Sequence, residues 1–222
     1  MVTLSGLFDR VRSRGVLRSA RHYWIRLLDR WWEARFGVRT EGLIPLESVG
    51  IENREFGRYS PTSYTELRAL MKRIPIRPGQ DVFLDYGSGL GRVLIVAATH
   101  PFKRVVGVEV AKSFNAAAAA NFERCRTKLR CTEWELLTSD ASLLIPPADA
   151  TIFFFYNPFG PVVLRKVLEN IHQTLVERPR PVTLVFRHPG QLQGILEEAV
   201  WLRKRAAHAI GEYEYWILDN AS

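Results

Sequence analysis

The chain has 222 residues, of which 47% are hydrophobic and 24% charged, as is usual for a globular protein with a substantial core. No apolar run approaches the roughly 20 residues that span a bilayer, and no secretory leader is visible, so we expect a cytoplasmic protein. The two cysteines and five scattered histidines match no metal-binding spacing, and we predict no metal site.

The net charge of +8 is concentrated at the start of the chain. The first 40 residues hold nine arginines against Asp9, Asp29 and Glu33, a net charge of +6. Apolar residues recur there at helical spacing and form one stripe: Tyr23, Trp24, Leu27, Leu28, Trp31 and Trp32. We favour a helix whose stripe packs on the rest of the chain or on a second copy. Contact with an anionic membrane surface, contact with nucleic acid and an organelle transit peptide remain alternatives.

Beyond this arm, strands and helices alternate. Predicted helices cover Thr62–Arg73, Arg92–Ala98, Ser113–Arg126, Val162–Val176 and Leu192–Ala199. Predicted strands cover Val82–Asp85, Arg104–Glu109, Trp134–Leu137, Ala150–Tyr156, Val182–Phe186, Trp201–His208 and Glu212–Leu218. The alternation predicts an α/β fold with a mostly parallel sheet covered by helices on both faces. The last two strands meet across Gly211 without a helix, which predicts an antiparallel hairpin at one edge.

A glycine-rich turn follows the first strand, in the segment Asp85-Tyr86-Gly87-Ser88-Gly89-Leu90-Gly91. Glycine permits positive φ and lets backbone N–H groups approach a ligand at the start of the next helix. Arg92 stands where the dinucleotide pattern G-x-G-x-x-G needs its third glycine, and no G-K-[ST] follows. The spacing therefore weakens a nicotinamide-binding interpretation and excludes a phosphate loop of the NTPase type.

The D-x-G-x-G-x-G pattern resembles the first motif of class I S-adenosylmethionine-dependent methyltransferases. The resemblance implies a Rossmann-like seven-stranded sheet, which the predicted strands supply. It also implies that Glu109, at the end of the second strand, accepts hydrogen bonds from the ribose hydroxyls. Asp140, after the third strand, would accept a hydrogen bond from the adenine amino group. Phe114 would stack on the adenine or belong to the core.

The fourth strand ends in Asn157-Pro158-Phe159. This segment resembles the [DNS]-P-P-[YFW] signature of methyltransferases that act on nitrogen, with one proline missing. The resemblance implies that the Asn157 side-chain oxygen and the Pro158 carbonyl hold the N–H groups of an acceptor, and that Phe159 packs against it. An Asn-Pro turn that only ends a strand is the alternative.

Upstream, Tyr59-Ser60-Pro61-Thr62 resembles the Y-x-P-[TS] segment of bacterial lysine-methyltransferase-like proteins and of non-SET histone-lysine-methyltransferase-like proteins. The glycine turn followed by Arg92 is similar to the loop of the same group, although Arg92 also suits an ordinary helix start. The resemblance covers the chain from about Phe36 onward. In that group the tyrosine or threonine helps to hold the cofactor carboxylate.

Taken together, these features predict an enzyme that transfers the methyl group of S-adenosylmethionine to a nitrogen, with a protein lysine as one acceptor. We expect an arm over residues 1–42 and the methyltransferase domain over residues 43–222. A small-molecule O- or N-methyltransferase and an inactive S-adenosylmethionine-binding scaffold remain alternatives, and His188 is the only histidine near the expected rim. The catalytic residues implied are Asn157, Pro158 and Phe159. The cofactor-binding residues implied are Tyr59, Thr62, Asp85, Tyr86, Gly87, Ser88, Gly89, Gly91, Glu109, Val110, Asp140, Ala141 and Asn157.

Overall fold

The computed structural model describes residues 16–45, 48, 50, 59–187 and 189–220. The helices are α1 (Val16–Phe36), α2 (Tyr64–Met71), α3 (Arg92–Ala98), α4 (Lys112–Cys125), α5 (Pro161–Glu177) and α6 (Gln193–Glu198). The strands are β1 (Val82–Tyr86), β2 (Arg104–Glu109), β3 (Trp134–Thr138), β4 (Ala150–Phe155), β5 (Thr183–Arg187), β6 (Leu202–Ile210) and β7 (Tyr213–Asn220). His188 lies outside the described residues.

The seven strands form one sheet in the order β3-β2-β1-β4-β5-β7-β6. Strands β1 to β5 pair in parallel, whereas β7 is antiparallel to both β5 and β6. The predicted Rossmann-like α/β fold with its C-terminal hairpin is therefore confirmed. Because β1 lies between β2 and β4, the chain reverses its direction of winding there, and the carboxyl end of β1 is where such sheets bind ligands.

Local sequence explains where the elements begin. The Ser63 hydroxyl caps α2 by accepting a hydrogen bond from the Glu66 N–H at 3.1 Å. Pro161 occupies the first turn of α5, where its missing N–H costs nothing. Strand β4, with the sequence Ala-Thr-Ile-Phe-Phe-Phe, is buried along its whole length, as a central parallel strand must be.

The sheet separates two apolar clusters. One contains Phe83, Phe122, Phe154 and residues of α2 and α3. The other contains Tyr86, Phe155, Phe186 and the buried face of α5. None of the described helices is long and apolar enough to cross a membrane.

Helix α1 packs on the domain, but through a different face from the one predicted. Of the predicted stripe only Trp32 packs against the core, whereas the other five residues are exposed. The docked side instead carries Asp29, Glu33 and Phe36. Asp29 and Glu33 share one ionic partner, Arg92 of α3. A pattern of apolar residues within α1 could not reveal this contact.

Candidate functional site

The glycine turn lies between β1 and α3 and is shaped by three positive φ angles. These are 80° at Gly87, 52° at Gly89 and 85° at Gly91, a region that side chains with a Cβ rarely adopt. The Gly87 N–H donates to the Val108 carbonyl at 2.8 Å, which ties the turn to β2. A Cβ at Gly89 would lie 2.4 Å from the Tyr59 ring, and one at Gly87 would lie 2.6 Å from the Pro158 Cβ. Tyr59 and Pro158, which belong to two other predicted site segments, therefore contact the turn.

Glu109 faces this turn. One carboxylate oxygen accepts a hydrogen bond from the Gly89 N–H at 2.9 Å, and the other accepts one from the Ala111 N–H at 2.9 Å. Burial raises the pKa of Glu109, and these backbone donors oppose the rise by stabilising the anion. The carboxylate is thus fixed beside the cavity at the end of β2.

Asp85, at the same edge, is buried more completely. Among the described residues its Oδ2 has no hydrogen-bond partner. Desolvation raises the pKa of Asp85 well above its usual value, and the negative charge of Glu109 adds to the rise. A buried carboxylate oxygen without a partner has room to accept a hydrogen bond from a cationic ligand, such as the ammonium group of S-adenosylmethionine.

A cavity of about 410 Å³ opens over these groups, within the size range of small-molecule sites. Its walls contain the ends of β1, β2 and β4, the segment after β3, and the Tyr59–Thr62 segment. The Ser88 and Thr62 hydroxyls, both buried and without hydrogen-bond partners in the described part of the chain, belong to the same walls. Carboxylates and hydroxyls suit the amino-acid and ribose parts of S-adenosylmethionine.

Most of the predicted site residues line this cavity. They are Tyr59, Thr62, Asp85, Gly87, Ser88, Glu109, Val110, Ala141, Asn157, Pro158 and Phe159, and Phe114 lies with them. Gly89 and Gly91 shape the turn without lining the cavity.

Tyr86 and Asp140 lie elsewhere. The Tyr86 ring is fully buried and stacks on Phe155 at 5.1 Å, so that only its backbone belongs to the turn. The Asp140 Oδ1 accepts hydrogen bonds from the Ser142 N–H and hydroxyl at 2.8 and 2.7 Å, which orders the loop after β3. The adenine contact of Asp140 stays a prediction.

The Asn157-Pro158-Phe159 segment is held against the cofactor turn. Asn157 has a φ of 42°, the only positive value at a described residue other than glycine. Asparagine tolerates this conformation better than most residues, and its use beside a cavity often marks a functional site. Phe159 is buried against Tyr86 and Phe155, which fixes the end of the segment.

Arg92 has a larger role than its position at a helix start suggested. The side chain is only 3% exposed and donates to the Thr40 hydroxyl at 2.7 Å, the Thr62 carbonyl at 3.1 Å and Glu33 at 3.2 Å. It also pairs with Asp29 at 3.5 Å. Arg92 thereby joins α1, the Tyr59–Thr62 segment and the glycine turn.

Arg187, the last residue of β5, was not predicted. Its guanidinium lies 3.9 Å from the centre of the Tyr156 ring and 3.3 Å from that of Tyr213. All three residues line the cavity of about 410 Å³ described above, which we call the cofactor cavity. They also line a second cavity of about 640 Å³, which α1 and the C-terminal hairpin border. No local pattern marks Arg187, since both rings come from other elements.

Within the described residues, no group of three or more histidine, cysteine or acidic side chains could hold a metal ion.

Comparison with known proteins agrees with this geometry. The family model for the histone methylation protein DOT1 matches residues 53–143, a segment that contains the glycine turn and Glu109. No curated protein matches the sequence.

Solved structures share the fold at low sequence identity. An RNA methyltransferase from Salinibacter ruber, in complex with S-adenosyl-L-homocysteine, is 19% identical, with a TM-score of 0.54 over 73% of this chain and 95% of that one. An S-adenosylmethionine-dependent methyltransferase from Aquifex aeolicus is 16% identical, with a TM-score of 0.56 over 70% and 89%. The ribosomal protein L11 methylase from Lactobacillus delbrueckii subsp. bulgaricus is 17% identical, with a TM-score of 0.51 over 70% and 78%.

The strand order, the glycine turn with its two carboxylates and the family match together identify the chain as a class I S-adenosylmethionine-dependent methyltransferase.

Proposed function

We propose that the enzyme methylates a nitrogen atom, with a protein lysine side chain as the leading acceptor. The observation that carries this proposal is the position of Asn157, which lies two residues after β4 with a positive φ while the next residue, Pro158, packs on Gly87. The acceptor motif and the cofactor turn therefore form one continuous wall of the cavity.

The chemistry explains why such a segment suits nitrogen. S-adenosylmethionine supplies a methyl group that its sulfonium activates for in-line displacement. The protein's main contribution is then alignment of the acceptor lone pair. The Asn157 side-chain oxygen and the Pro158 carbonyl would accept the N–H bonds of the acceptor and turn its lone pair toward the methyl carbon.

The cofactor roles follow from the same cavity. Asp85 would accept hydrogen bonds from the amino group, and Glu109 from the ribose hydroxyls. The loop from Ser139 to Ala141 would receive the adenine, with Asp140 as the predicted acceptor. The unpartnered Asp85 oxygen and the orientation of Glu109 toward the turn support the first two assignments.

The lysine assignment is supported by the description of the matching family model, which concerns histone methylation. The second cavity offers a route to the surface beside Tyr156 and Tyr213, whose rings suit the aliphatic stem of a lysine.

A small-molecule acceptor is the second candidate, and Arg187 favours it. This guanidinium is 5% exposed and borders both cavities. Its positive charge, which Glu66 at 3.8 Å offsets in part, would repel a lysine ammonium and attract an acceptor that carries a carboxylate or phosphate.

Transfer of a tritiated methyl group into a cell lysate tests the proposal. Label in protein bands supports lysine methylation, whereas label only in the small-molecule fraction supports the second candidate. Retained cofactor binding without transfer would instead indicate an inactive scaffold.

Substitutions at Asn157 test the motif itself. Asn157→Gly tolerates the positive φ and removes the side-chain amide with its acceptor oxygen, and we expect turnover to fall at least 100-fold while calorimetry shows unchanged affinity for S-adenosylhomocysteine. Asn157→Asp keeps an acceptor oxygen and should remain within about tenfold of the original turnover. Full activity of Asn157→Gly would remove the nitrogen-orienting role.

A further inference from the structure

The exposed side of α1 carries an apolar face that we call the aromatic face: Tyr23, Trp24, Leu27, Leu28 and Trp31. At 3.6 residues per turn these side chains share a sector about 140° wide along the helix. Tyr23, Trp24 and Trp31 are 62, 65 and 53% exposed. Contiguous aromatic exposure on this scale usually marks an interaction surface.

The docked side of α1 keeps the aromatic face turned outward. Asp29 accepts a hydrogen bond from the Tyr64 N–H at 2.8 Å and pairs with Arg92, and Glu33 pairs with the same arginine. Trp32 and Phe36 stack on each other and on Tyr64. Rotating the helix to bury the aromatic face would break this buried network.

The borders of the aromatic face are basic. Arg26 and Arg30 lie along one side of it and Arg21 and Arg35 along the other, and all four are exposed. The two acidic residues of α1 are both engaged with Arg92 on the docked side. Arg30 has an acidic neighbour in Glu41 at 3.9 Å, a weak contact between partly exposed groups, and Arg21 interacts electrostatically with Glu66. The surface presented to solvent is therefore apolar at its centre and positive at its edges.

This arrangement distinguishes between possible occupants. In a symmetric dimer each aromatic face would meet its own copy, so arginine borders would approach arginine borders. A nucleic acid would need the positive charges at the centre of the contact, where the phosphates lie, and leucines offer bases no stacking surface. An anionic bilayer meets both requirements: tryptophan and leucine side chains enter the headgroup region while arginines contact the lipid phosphates.

We propose that α1 docks the enzyme on membranes that contain anionic phospholipids, lying parallel to the surface with the aromatic face inserted. Tryptophan and tyrosine favour this depth because their rings are partly apolar and partly hydrogen-bonding. The aromatic face and its arginine borders extend from Arg21 to Arg35, about 21 Å along the helix. The docked side stays on the domain, so that the enzyme binds as one body.

Vesicle flotation of the full-length protein tests the proposal. The probes are vesicles of phosphatidylcholine alone and of phosphatidylcholine with 30% phosphatidylglycerol. We expect binding to the second at least tenfold stronger than to the first. The variant Trp24→Ser/Trp31→Ser should lose that binding at least tenfold. The matched control Leu143→Ser/Val200→Ser removes two apolar side chains that are 78 and 91% exposed elsewhere, and it should bind as the original protein does.

Calorimetry with S-adenosylhomocysteine serves as a check that each variant is folded, and it keeps the membrane result separate from the proposed function. Several results would overturn the proposal: no preference for anionic vesicles, or equal binding by the Trp24→Ser/Trp31→Ser variant. If the protein does not bind vesicles, two results would point to another occupant of the aromatic face. One is a dimer in ultracentrifugation that the Trp24→Ser/Trp31→Ser variant abolishes, and the other is an RNA complex in gel shift that the same variant abolishes.

Discussion

Asp85 combines two properties that conflict in a folded protein, a position deep in the domain and an ionisable side chain. Its burial and the neighbouring Glu109 both disfavour the charged form, and its Oδ2 has no hydrogen-bond partner among the described residues. Such a group lowers stability unless a ligand compensates it. Conflicts of this kind are common at binding sites, where stability is given up for function.

We therefore expect Asp85→Asn to raise the free energy of unfolding at neutral pH by about 1 kcal/mol or more, since each unit by which folding raises a pKa costs about 1.4 kcal/mol in the ionised state. The same variant should bind S-adenosylhomocysteine at least tenfold more weakly. In the original protein, affinity should fall as the pH is lowered through the raised pKa of Asp85, above the usual value near 4 for aspartate.

The direction in which stability changes with pH depends on the pKa of Asp85 in the folded state. A raised carboxyl pKa means that folding favours the protonated form, so the cost in stability is present above that pKa and disappears as the pH falls through it. Calorimetry and urea unfolding between pH 4 and 8 measure both effects. Equal pH profiles for the original protein and Asp85→Asn would show that Asp85 does not hold the ligand.

At the scale of elements, one side chain of α3 determines how α1 is attached. Arg92 is almost fully buried and pairs with two carboxylates of α1, both with less than 15% of the side chain exposed. Its guanidinium also lies 4.5 Å from the centre of the Tyr64 ring. Buried ion pairs tend to fix geometry rather than add stability, since desolvation offsets much of the attraction. Arg92 therefore selects the docked side of α1.

Removing this arginine should be costly because Asp29 and Glu33 would remain buried without a cation. We expect Arg92→Met to lower the free energy of unfolding by about 3 kcal/mol. Adding Asp29→Asn and Glu33→Gln to that variant should recover most of the loss, since no unpaired charge then remains. Urea unfolding of the single and triple variants measures this. A triple variant no more stable than Arg92→Met would show that the charges are not the cause.

At the scale of the whole molecule, ligand binding and folding are linked through the glycine turn. A ligand that binds only the folded state at 100 times its dissociation constant stabilises that state by about 2.7 kcal/mol. For a domain of this size, this corresponds to a rise in melting temperature of about 5–10 °C. S-adenosylhomocysteine should produce such a rise, measured by differential scanning calorimetry.

Two glycine variants make this measurement specific. Gly89→Ala places a Cβ 2.4 Å from the Tyr59 ring at a φ of 52°, so the turn must deform and the rise should disappear. Gly194→Ala, in α6, meets nothing within 4 Å and has an ordinary φ, so it should keep the full rise. If both variants lost the rise in melting temperature, or if neither did, the glycine turn would not be the binding site of the ligand.

The fold could be predicted from the amino-acid sequence, and so could the place of the candidate cofactor site in it. Alternation of apolar runs with helical segments predicts β1 to β7 and their helices, and the spacing of Gly87, Gly89 and Gly91 predicts the turn after β1. Asp85, Glu109 and Asn157 were predicted to lie together because each is at or just after the end of a strand, and parallel strands of one sheet end at the same edge. These are properties of short segments, in which backbone geometry is decided by the residues themselves.

The docked side of α1, the contacts of Arg92 and the position of Arg187 between Tyr156 and Tyr213 could be learned from the folded chain alone. The tertiary structure also placed the Tyr86 ring in the core. The contacts of Arg92 and Arg187 join residues dozens of positions apart, and their strength depends on burial, which no local pattern encodes. The apolar stripe of α1 looks like core in the sequence, yet all of it except Trp32 is exposed. The reason is that the buried ion pairs of Asp29 and Glu33 with Arg92 orient the helix.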